Sequence, residues 1–262
     1  MAVIAVYSPK GGVGKTTISV DLAWRCAAIG GLRTLLWDLD PQGGSGFLLG
    51  AEQGRRQAAA SVFQREGRPE RLAMPTAYPG LSLLGADDSL RSLPLHLARL
   101  GQRRRLATLT RTLGGAFERI VLDCPPMQNE VSEQILHAAD VVIVPLPVSP
   151  LAARGLDLLR ADMARHHGSH PPILPVLSMY DPRRQSHRAA REGHMAHFPV
   201  VPMASQIEQV AFQRAPIGTF APHCPPARAL DRLWRAIEAK LAATGTAGAL
   251  PAAAPPPVAA RA

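Results

Sequence analysis

The chain has 262 residues, of which 47% are hydrophobic, 19% charged and only 5% aromatic. This length and apolar content suit one large, mostly aliphatic core, so we predict one domain rather than two. The formal net charge of +9 favours an anionic partner, such as nucleic acid or an acidic membrane surface, unless the arginines reflect only genome composition.

Cysteine spacing and hydropathy exclude further classes of protein. Cys26, Cys124 and Cys224 are far apart and form no CxxC pair, which argues against a disulfide framework and against a zinc or iron–sulfur site within one chain. No stretch approaches the about 18 apolar residues of a membrane-spanning helix, and the first apolar run is too short for a signal peptide. We therefore expect a cytoplasmic protein without membrane insertion.

Short apolar runs alternate with helical patterns along the chain. The predicted strands are residues 2–7, 33–40, 80–87, 117–123, 140–148 and 172–181. The predicted helices are residues 16–30, 89–113 with interruptions near Pro94 and Gly101, 132–139, 151–166 and 227–243. This alternation predicts the α/β class, with a mostly parallel twisted sheet flanked by helices on both faces. Residues 244–262 are rich in Ala and Pro, so we predict a folded domain over 1–243 and a disordered tail over 244–262.

Polar and acidic residues follow the predicted strands where those strands end. They are Ser8, Asp38, Asp40, Asp123 and Asp181. Because open α/β sheets bind ligands at the carboxyl ends of their strands, we expect these side chains to gather at one edge.

The segment SPKGGVGKTT, residues 8–17, lies between the first strand and the first helix. It departs from the usual GxxxxGK[ST] pattern, since the opening glycine would fall at Pro9. The chemistry still indicates a phosphate loop, because glycines let backbone N–H groups converge on phosphate oxygens at a helix N-terminus. In this interpretation Lys15 reaches the β- and γ-phosphates, the Thr16 hydroxyl is a ligand of Mg²⁺ and Thr17 donates to the α-phosphate. The predicted nucleotide-binding residues here are Gly11, Gly12, Val13, Gly14, Lys15, Thr16 and Thr17.

Lys10 needs a separate explanation, because only three of the 29 basic residues are lysines and two of them lie in this loop. With Lys10, the segment resembles the deviant Walker A motif of the ParA/MinD family of P-loop ATPases. The resemblance implies ATP and Mg²⁺ as cofactors and a homodimer that encloses two ATP molecules. It also implies that Lys10 reaches the phosphates of the partner's ATP, where a second cation would stabilise the transition state as an arginine finger does.

Two acidic segments extend the resemblance. WDLDPQGGSG, residues 37–46, is similar to the family's switch I, which implies that Asp40 positions the attacking water and Asp38 supports the Mg²⁺ shell. IVLDCPP, residues 120–126, resembles the Walker B or switch II segment, which implies that Asp123 lies near Mg²⁺. The predicted catalytic set is therefore Lys10, Lys15 and Asp40, and the predicted metal set is Thr16, Asp38 and Asp123.

The resemblance continues to about residue 243 and favours ParA over MinD, because DLDPQG is the ParA form. LSMYDPRRQS resembles the strand end where adenine lies, so Met179, Asp181 and Pro202 are candidate base contacts. ParA-type dimers bind DNA without sequence preference through basic residues. The candidates here are Arg183, Arg184, Arg188, Arg191 and Arg214. The chain departs from the family at Met203 and Gln206, where arginines are expected, so Arg214 or the basic residues 103–105 would have to substitute.

The resemblance implies an ATPase that positions a cargo, either a DNA locus or a protein cluster, on the nucleoid, with a ParB-like or other partner that stimulates hydrolysis. Three alternatives stay open on the same scaffold. One is a metabolic enzyme such as a cobyrinic acid amidase, although no Cys/His pair for an amidase is evident. Another is an electron-transfer ATPase like the nitrogenase iron protein, which needs two cysteines per subunit. The third is an accessory ATPase of another machine, such as cellulose synthesis.

Overall fold

The structure is a computed structural model that describes residues 1–51, 59–63, 69–101, 104–126, 130–166, 170–193 and 195–245. Its strands are β1 (Ala2–Val6), β2 (Thr34–Asp38), β3 (Met74–Pro75), β4 (Leu81–Leu84), β5 (Arg119–Asp123), β6 (Val141–Pro147), β7 (Ile173–Tyr180) and β8 (Val200–Pro202). Its helices are α1 (Lys15–Ala28), α2 (Gly44–Leu48), α3 (Leu93–Leu100), α4 (Arg105–Thr112), α5 (Glu130–Ala138), α6 (Pro150–His166), α7 (Gln185–Glu192), α8 (Ser205–Gln213), α9 (Ile217–Phe220) and α10 (Pro225–Ala243).

All of these strands join one sheet in the order β3-β4-β2-β5-β1-β6-β7-β8. Every neighbouring pair is parallel except β3 and β4, which are antiparallel. The predicted α/β class with a mostly parallel sheet is therefore confirmed. All five residues of β1 are buried, as expected for a central strand covered on both faces.

Successive side chains of β1 enter two separate cores, because neighbours on a strand point to opposite faces. Val3 and Ala5 belong to a core that the apolar side chains of α3, α4, α5 and α6 complete. Ile4 and Val6 belong to the other core, which α1 and α10 cover with residues such as Trp234. The helices thus cover both faces of the sheet and leave the carboxyl ends of its strands to form the site.

The six predicted strands are observed, and the prediction missed β3 and β8. These two strands have only two and three residues, too few to show a hydrophobic pattern. The interruptions expected near Pro94 and Gly101 are also observed, because α3 begins at Leu93 and ends at Leu100, with Gly101 as its C-cap at φ 61°.

None of the helices in the described ranges is both long and apolar enough to cross a bilayer. Residues 246–262, which hold most of the predicted tail, lie outside the described part of the chain. The division into a domain over 1–243 and a tail over 244–262 therefore stays a prediction.

Candidate nucleotide-binding site

The glycine-rich loop joins the buried end of β1 to the start of α1. Gly12 and Gly14 have φ values of 69° and 84°, in the left-handed region that favours glycine. Gly14 is also the N-cap of α1, and no side chain caps this end of the helix. Backbone N–H groups at an uncapped helix N-terminus attract anions, so the loop has the geometry of a phosphate cradle.

The Lys15 side chain is buried, and its Nζ donates a hydrogen bond to the Lys10 carbonyl oxygen at 3.2 Å. Burial lowers the pKa of Lys15, while the carboxylates of Asp123 and Asp40 oppose this shift. A buried ammonium costs free energy unless an anion accompanies it. A phosphate oxygen in the loop would supply that anion.

Asp38 and Asp123 form a buried carboxylate pair beside the loop. They end β2 and β5 and are directly opposite each other in the parallel register. Asp38 accepts hydrogen bonds from the backbone N–H groups of Asp40 and Ser45, each at 3.0 Å. Asp123 accepts from the hydroxyls of Ser45 at 2.8 Å and Ser19 at 3.2 Å. Neither serine was predicted from the sequence, because a single hydroxyl on a helix carries no pattern.

Burial raises the pKa of Asp38 well above its usual value, and the charge of Asp123 raises it further. Burial also raises the pKa of Asp123, to about 6, although hydrogen bonds from Ser45, Thr16 and Ser19 act in the opposite direction. Ionising both carboxylates would place two negative charges beside the single Lys15 ammonium, so this pair favours the binding of a further cation.

The donor set fits a magnesium ion held together with a nucleotide. Among the described residues, no group of three or more His, Cys, Asp or Glu side chains could hold a metal by itself. Mg²⁺ commonly takes one or two protein oxygens and completes its shell with phosphates and water. Thr16, Asp38 and Asp123 offer a hydroxyl and two carboxylates next to the phosphate loop, which matches this requirement.

Asp40 lies two residues beyond β2 and stands apart from the buried pair. Its side chain is half-buried, and its Oδ1 accepts a hydrogen bond from the Gln42 N–H at 3.0 Å. The carboxylate is therefore near enough to the site to influence Lys15, and it is more accessible than Asp38.

Lys10 differs from Lys15 in being exposed. No acidic side chain in the described ranges lies within ion-pair distance of its ammonium. Lys10 lines a cavity of about 350 Å³ with Pro147, which ends β6, and with Leu151 and Leu156 of α6. Leu151 is 78% exposed, so the rim of this cavity carries the charge of Lys10 beside an uncovered apolar side chain.

A second cavity of about 110 Å³ lies between the loop and the end of β7. Val13, Thr17, Met179 and Pro202 line it, so two of the three predicted base contacts are brought to the phosphate loop. Ser178 was not predicted from the sequence; its buried hydroxyl lines the same cavity and has no hydrogen-bond partner among the described residues.

Asp181, the third predicted base contact, does not line this cavity. Its carboxylate accepts hydrogen bonds from the Arg183 guanidinium at 2.9 and 3.1 Å. These bonds lower the pKa of Asp181 to about 2.

The predicted DNA-binding arginines fall into two groups. Arg183, Arg184 and Arg188 are exposed at the turn after β7 and on α7. Arg183 and Arg184 pair with Asp181, whereas Arg188 donates to the carbonyls of Pro182 and Arg183.

The remaining basic candidates lie elsewhere. Arg214 packs on α2, and Arg191 donates to the carbonyls of Met195, Ala196 and Phe198. Of the basic residues 103–105, Arg103 lies outside the described residues.

The position of Cys124 argues against a cluster that bridges two subunits. Its thiol is buried behind Asp123, and burial raises its pKa well above the usual value. A thiol in this state is a poor metal ligand.

Comparison with known proteins agrees with this geometry. Residues 1–170 match a family model described as an AAA domain. The chain is 32% identical over 252 residues to the chromosome partitioning protein ParA of Caulobacter vibrioides, which covers 90% of this chain and 94% of that protein. The chain belongs to the ParA/Soj family of ATPases. The chromosome-partitioning ATPase Soj of Thermus thermophilus is 31% identical, with 91% of this chain and 96% of Soj covered.

A solved structure extends the likeness of this ParA/Soj-family chain to nearly its whole length. It is the cobyrinic acid a,c-diamide synthase of Mycobacterium smegmatis with a bound ATP analogue and magnesium. The two chains are 26% identical with a TM-score of 0.78, covering 94% of this chain and 96% of the other.

Proposed function

We propose that the chain is a ParA-type ATPase that binds ATP with Mg²⁺, closes into a homodimer over two nucleotides and hydrolyses ATP to position a cargo. The contrast between its two loop lysines carries this proposal. Lys15 is buried within its own loop, whereas Lys10 is exposed at the rim and has no acidic partner in the described residues. An exposed cation beside a phosphate cradle is suited to contact the phosphates of a second subunit.

The residues of the site divide the work of hydrolysis. The N–H groups from Gly11 to Gly14 and the Lys15 ammonium bind the phosphates. When bound with the nucleotide, Mg²⁺ supplies positive charge that offsets the charge on the phosphate oxygens. Thr16, Asp38 and Asp123 would supply protein oxygen atoms to hold this ion, and the Asp40 carboxylate would orient water by accepting its hydrogen bond.

An apolar surface next to Lys10 supports the dimer. Leu151 and Leu158 are seven residues apart on α6 and are 78% and 57% exposed. Residues at this spacing lie on the same side of a helix. Burial of these two leucines against a second copy of the chain would favour a dimer in which Lys10 reaches the nucleotide site of the other subunit.

The net charge of +9 and the exposed Arg183, Arg184 and Arg188 support binding to nucleoid DNA without sequence preference. The cargo would be a DNA locus or a protein cluster, and a ParB-like or other partner would stimulate hydrolysis. Arg214 is a further candidate, although its guanidinium is engaged with α2.

Light scattering tests the dimer, and DNA binding at two salt concentrations tests the surface. We expect a monomer with ADP, a dimer with ATP and Mg²⁺, and ATP-dependent binding to random-sequence duplex that weakens as salt rises. A monomer under all conditions would contradict the dimer. Absent or salt-independent DNA binding would contradict nucleoid association.

The likeness to the M. smegmatis structure favours one second candidate, a cobyrinic acid amidase. Such an enzyme would hydrolyse ATP only in the presence of cobyrinic acid and an amino-group donor. ATP hydrolysis that responds to DNA and not to cobyrinic acid with glutamine would decide for the partitioning role.

A further inference from the structure

The backbone of Arg214 is unusual for an arginine. Arg214 is the C-cap that follows α8, with φ 50° and ψ 44°, in the left-handed region. Among the described residues, Met179 is the only other non-glycine with a positive φ. Glycine is the usual residue at such a helix end, because a Cβ is strained there. An arginine in this place indicates that its side chain has a role that offsets the strain.

The Arg214 side chain holds the end of α2. Its Nε donates a hydrogen bond to the Phe47 carbonyl oxygen at 3.1 Å. Its guanidinium carbon lies 4.8 Å from the centroid of the Phe47 ring, in a cation–π contact. The C-cap residue of α8 thus contacts both the backbone and the side chain of Phe47 in α2.

Helix α2 is too short and too rich in glycine to be stable without contacts from the rest of the fold. It has five residues, GSGFL, and two of them are glycines, the least favourable helix residue after proline. A helix this short is unstable in isolation, so contacts at its two ends decide where it lies.

The other end of α2 is part of the nucleotide site. Ser45 donates its N–H to Asp38 and its hydroxyl to Asp123. A Cβ on Gly44 would lie 3.1 Å from Cγ2 of Thr16, so the helix start is packed against the proposed magnesium ligand.

We propose that Arg214 is a positioning residue for ATP hydrolysis, which acts through α2 on Ser45 and the Asp38–Asp123 pair. The inference rests on the proposed function of the site. The described contacts of Arg214 reach Phe47 of α2 and no predicted phosphate or metal ligand, so we expect its effect to pass through the helix.

The variant Arg214→Gly separates this role from folding, because glycine suits the left-handed backbone and removes only the side chain. We expect a melting temperature within about 3 °C of the wild type. We expect amide hydrogen exchange over residues 44–48, measured without nucleotide, to become roughly tenfold faster. We expect kcat to fall about tenfold, with the KM for ATP changed by less than about twofold, since the phosphate loop is untouched.

Two further variants sharpen the test. Phe47→Leu should reproduce part of the loss of kcat. The double variant should lose little more kcat than Arg214→Gly alone, because both changes remove the same contact between these two side chains. Arg235→Ala is the matched control. It removes an arginine that lies 5.6 Å from the Trp234 ring and bonds Asp231 on α10, away from the site, and it should leave exchange at 44–48 and kcat unchanged.

Unchanged exchange at 44–48, or an unchanged kcat, in Arg214→Gly would overturn the proposal. A loss confined to DNA binding, with normal hydrolysis in DNA-free solution, would also overturn it and assign Arg214 to direct DNA contact. If the wild type hydrolyses ATP no faster than Lys15→Ala, the proposed function fails instead. Hydrogen exchange of the nucleotide-free protein then still decides whether Arg214 holds α2.

Discussion

Asp38 and Asp123 end adjacent parallel strands directly opposite each other, and Ser45 donates one hydrogen bond to each carboxylate. Burial and, for Asp38, repulsion from its neighbour raise the pKa of these acids. The protein without nucleotide therefore carries a destabilising charge at this edge. Such a cost is expected where a site is built to receive a cation.

We predict that Asp123→Asn stabilises the nucleotide-free protein at neutral pH. The pKa of Asp123 rises from 3.8 to about 6 on folding, so the native state binds more protons than the unfolded state between these values. Protonated Asp123 therefore favours the folded state at low pH. This stabilisation falls as pH rises from about 4 to 6, and by pH 7 the ionised carboxylate lowers the free energy of unfolding by its full amount. The gain should be roughly 1–3 kcal/mol at pH 7 and much smaller at pH 4.

Urea unfolding at the two pH values measures this gain. Asp88→Asn is the control, because the Asp88 side chain is 87% exposed. An equal effect of Asp123→Asn at both pH values would show that packing, not charge, explains it.

Lys15→Ala should abolish ATP binding, because it removes the one buried ammonium of the phosphate loop. The fold should survive, since burial, which lowers the pKa of Lys15, makes its charge unfavourable in the free protein. Titration calorimetry measures the affinity, with Lys240→Ala on α10 as a control that removes the lysine outside the loop. Retained micromolar or tighter binding would refute the loop assignment.

Lys10→Ala should separate binding from hydrolysis. The exposed Lys10 side chain lies at the rim, so the monomer should bind ATP with an affinity within about threefold of the wild type. Hydrolysis should fall by about a hundredfold or more, as expected for the loss of a cation supplied in trans. Mixing Lys10→Ala with Lys15→Ala subunits provides a further check. Equal loss of ATP binding and of hydrolysis in Lys10→Ala alone would show that Lys10 acts on the nucleotide of its own subunit.

Asp40→Ala should leave ATP binding intact and trap the ATP-bound dimer, because the group that orients water is removed while Lys15 and Lys10 remain. Size-exclusion chromatography with light scattering in ATP and Mg²⁺ measures the trapped species. Asp87→Ala, at a carboxylate that caps a short turn before α3, serves as the control. A variant that elutes only as a monomer would contradict the sandwich dimer.

Removal of both Arg183 and Arg184 by alanine should weaken DNA binding and reduce the dependence of log K on log salt by up to about 2. The reduction should be smaller if the pairs with Asp181 persist in the complex. The opposite change, Met203→Arg, places a cation at a 54% exposed position and should tighten binding. An unchanged dependence of log K on log salt in the double variant would show that DNA binds to another surface.

Elements with a strong local pattern were predictable. The glycine-rich loop, the acid after β2 and the acid at the end of β5 follow from motifs in which residue type and spacing suffice. Strands β3 and β8 were not predicted, because two or three residues form a strand only when a neighbouring strand pairs with them. Ser45 and Ser178 were missed for a similar reason, since a serine gains a role only from what folding places beside it.

The amino-acid sequence by itself determined the α/β class, the phosphate loop and the order of the acidic segments, because these depend on local periodicity and on short motifs. Only the tertiary structure decided that Asp181 accepts hydrogen bonds from Arg183 and that Ser45 donates to both Asp38 and Asp123. The contact of Arg214 with α2 likewise depends on the tertiary structure. Arg214 and Phe47 are 167 residues apart in the chain. Contacts at such separations arise from the packing of whole elements, which no local pattern records.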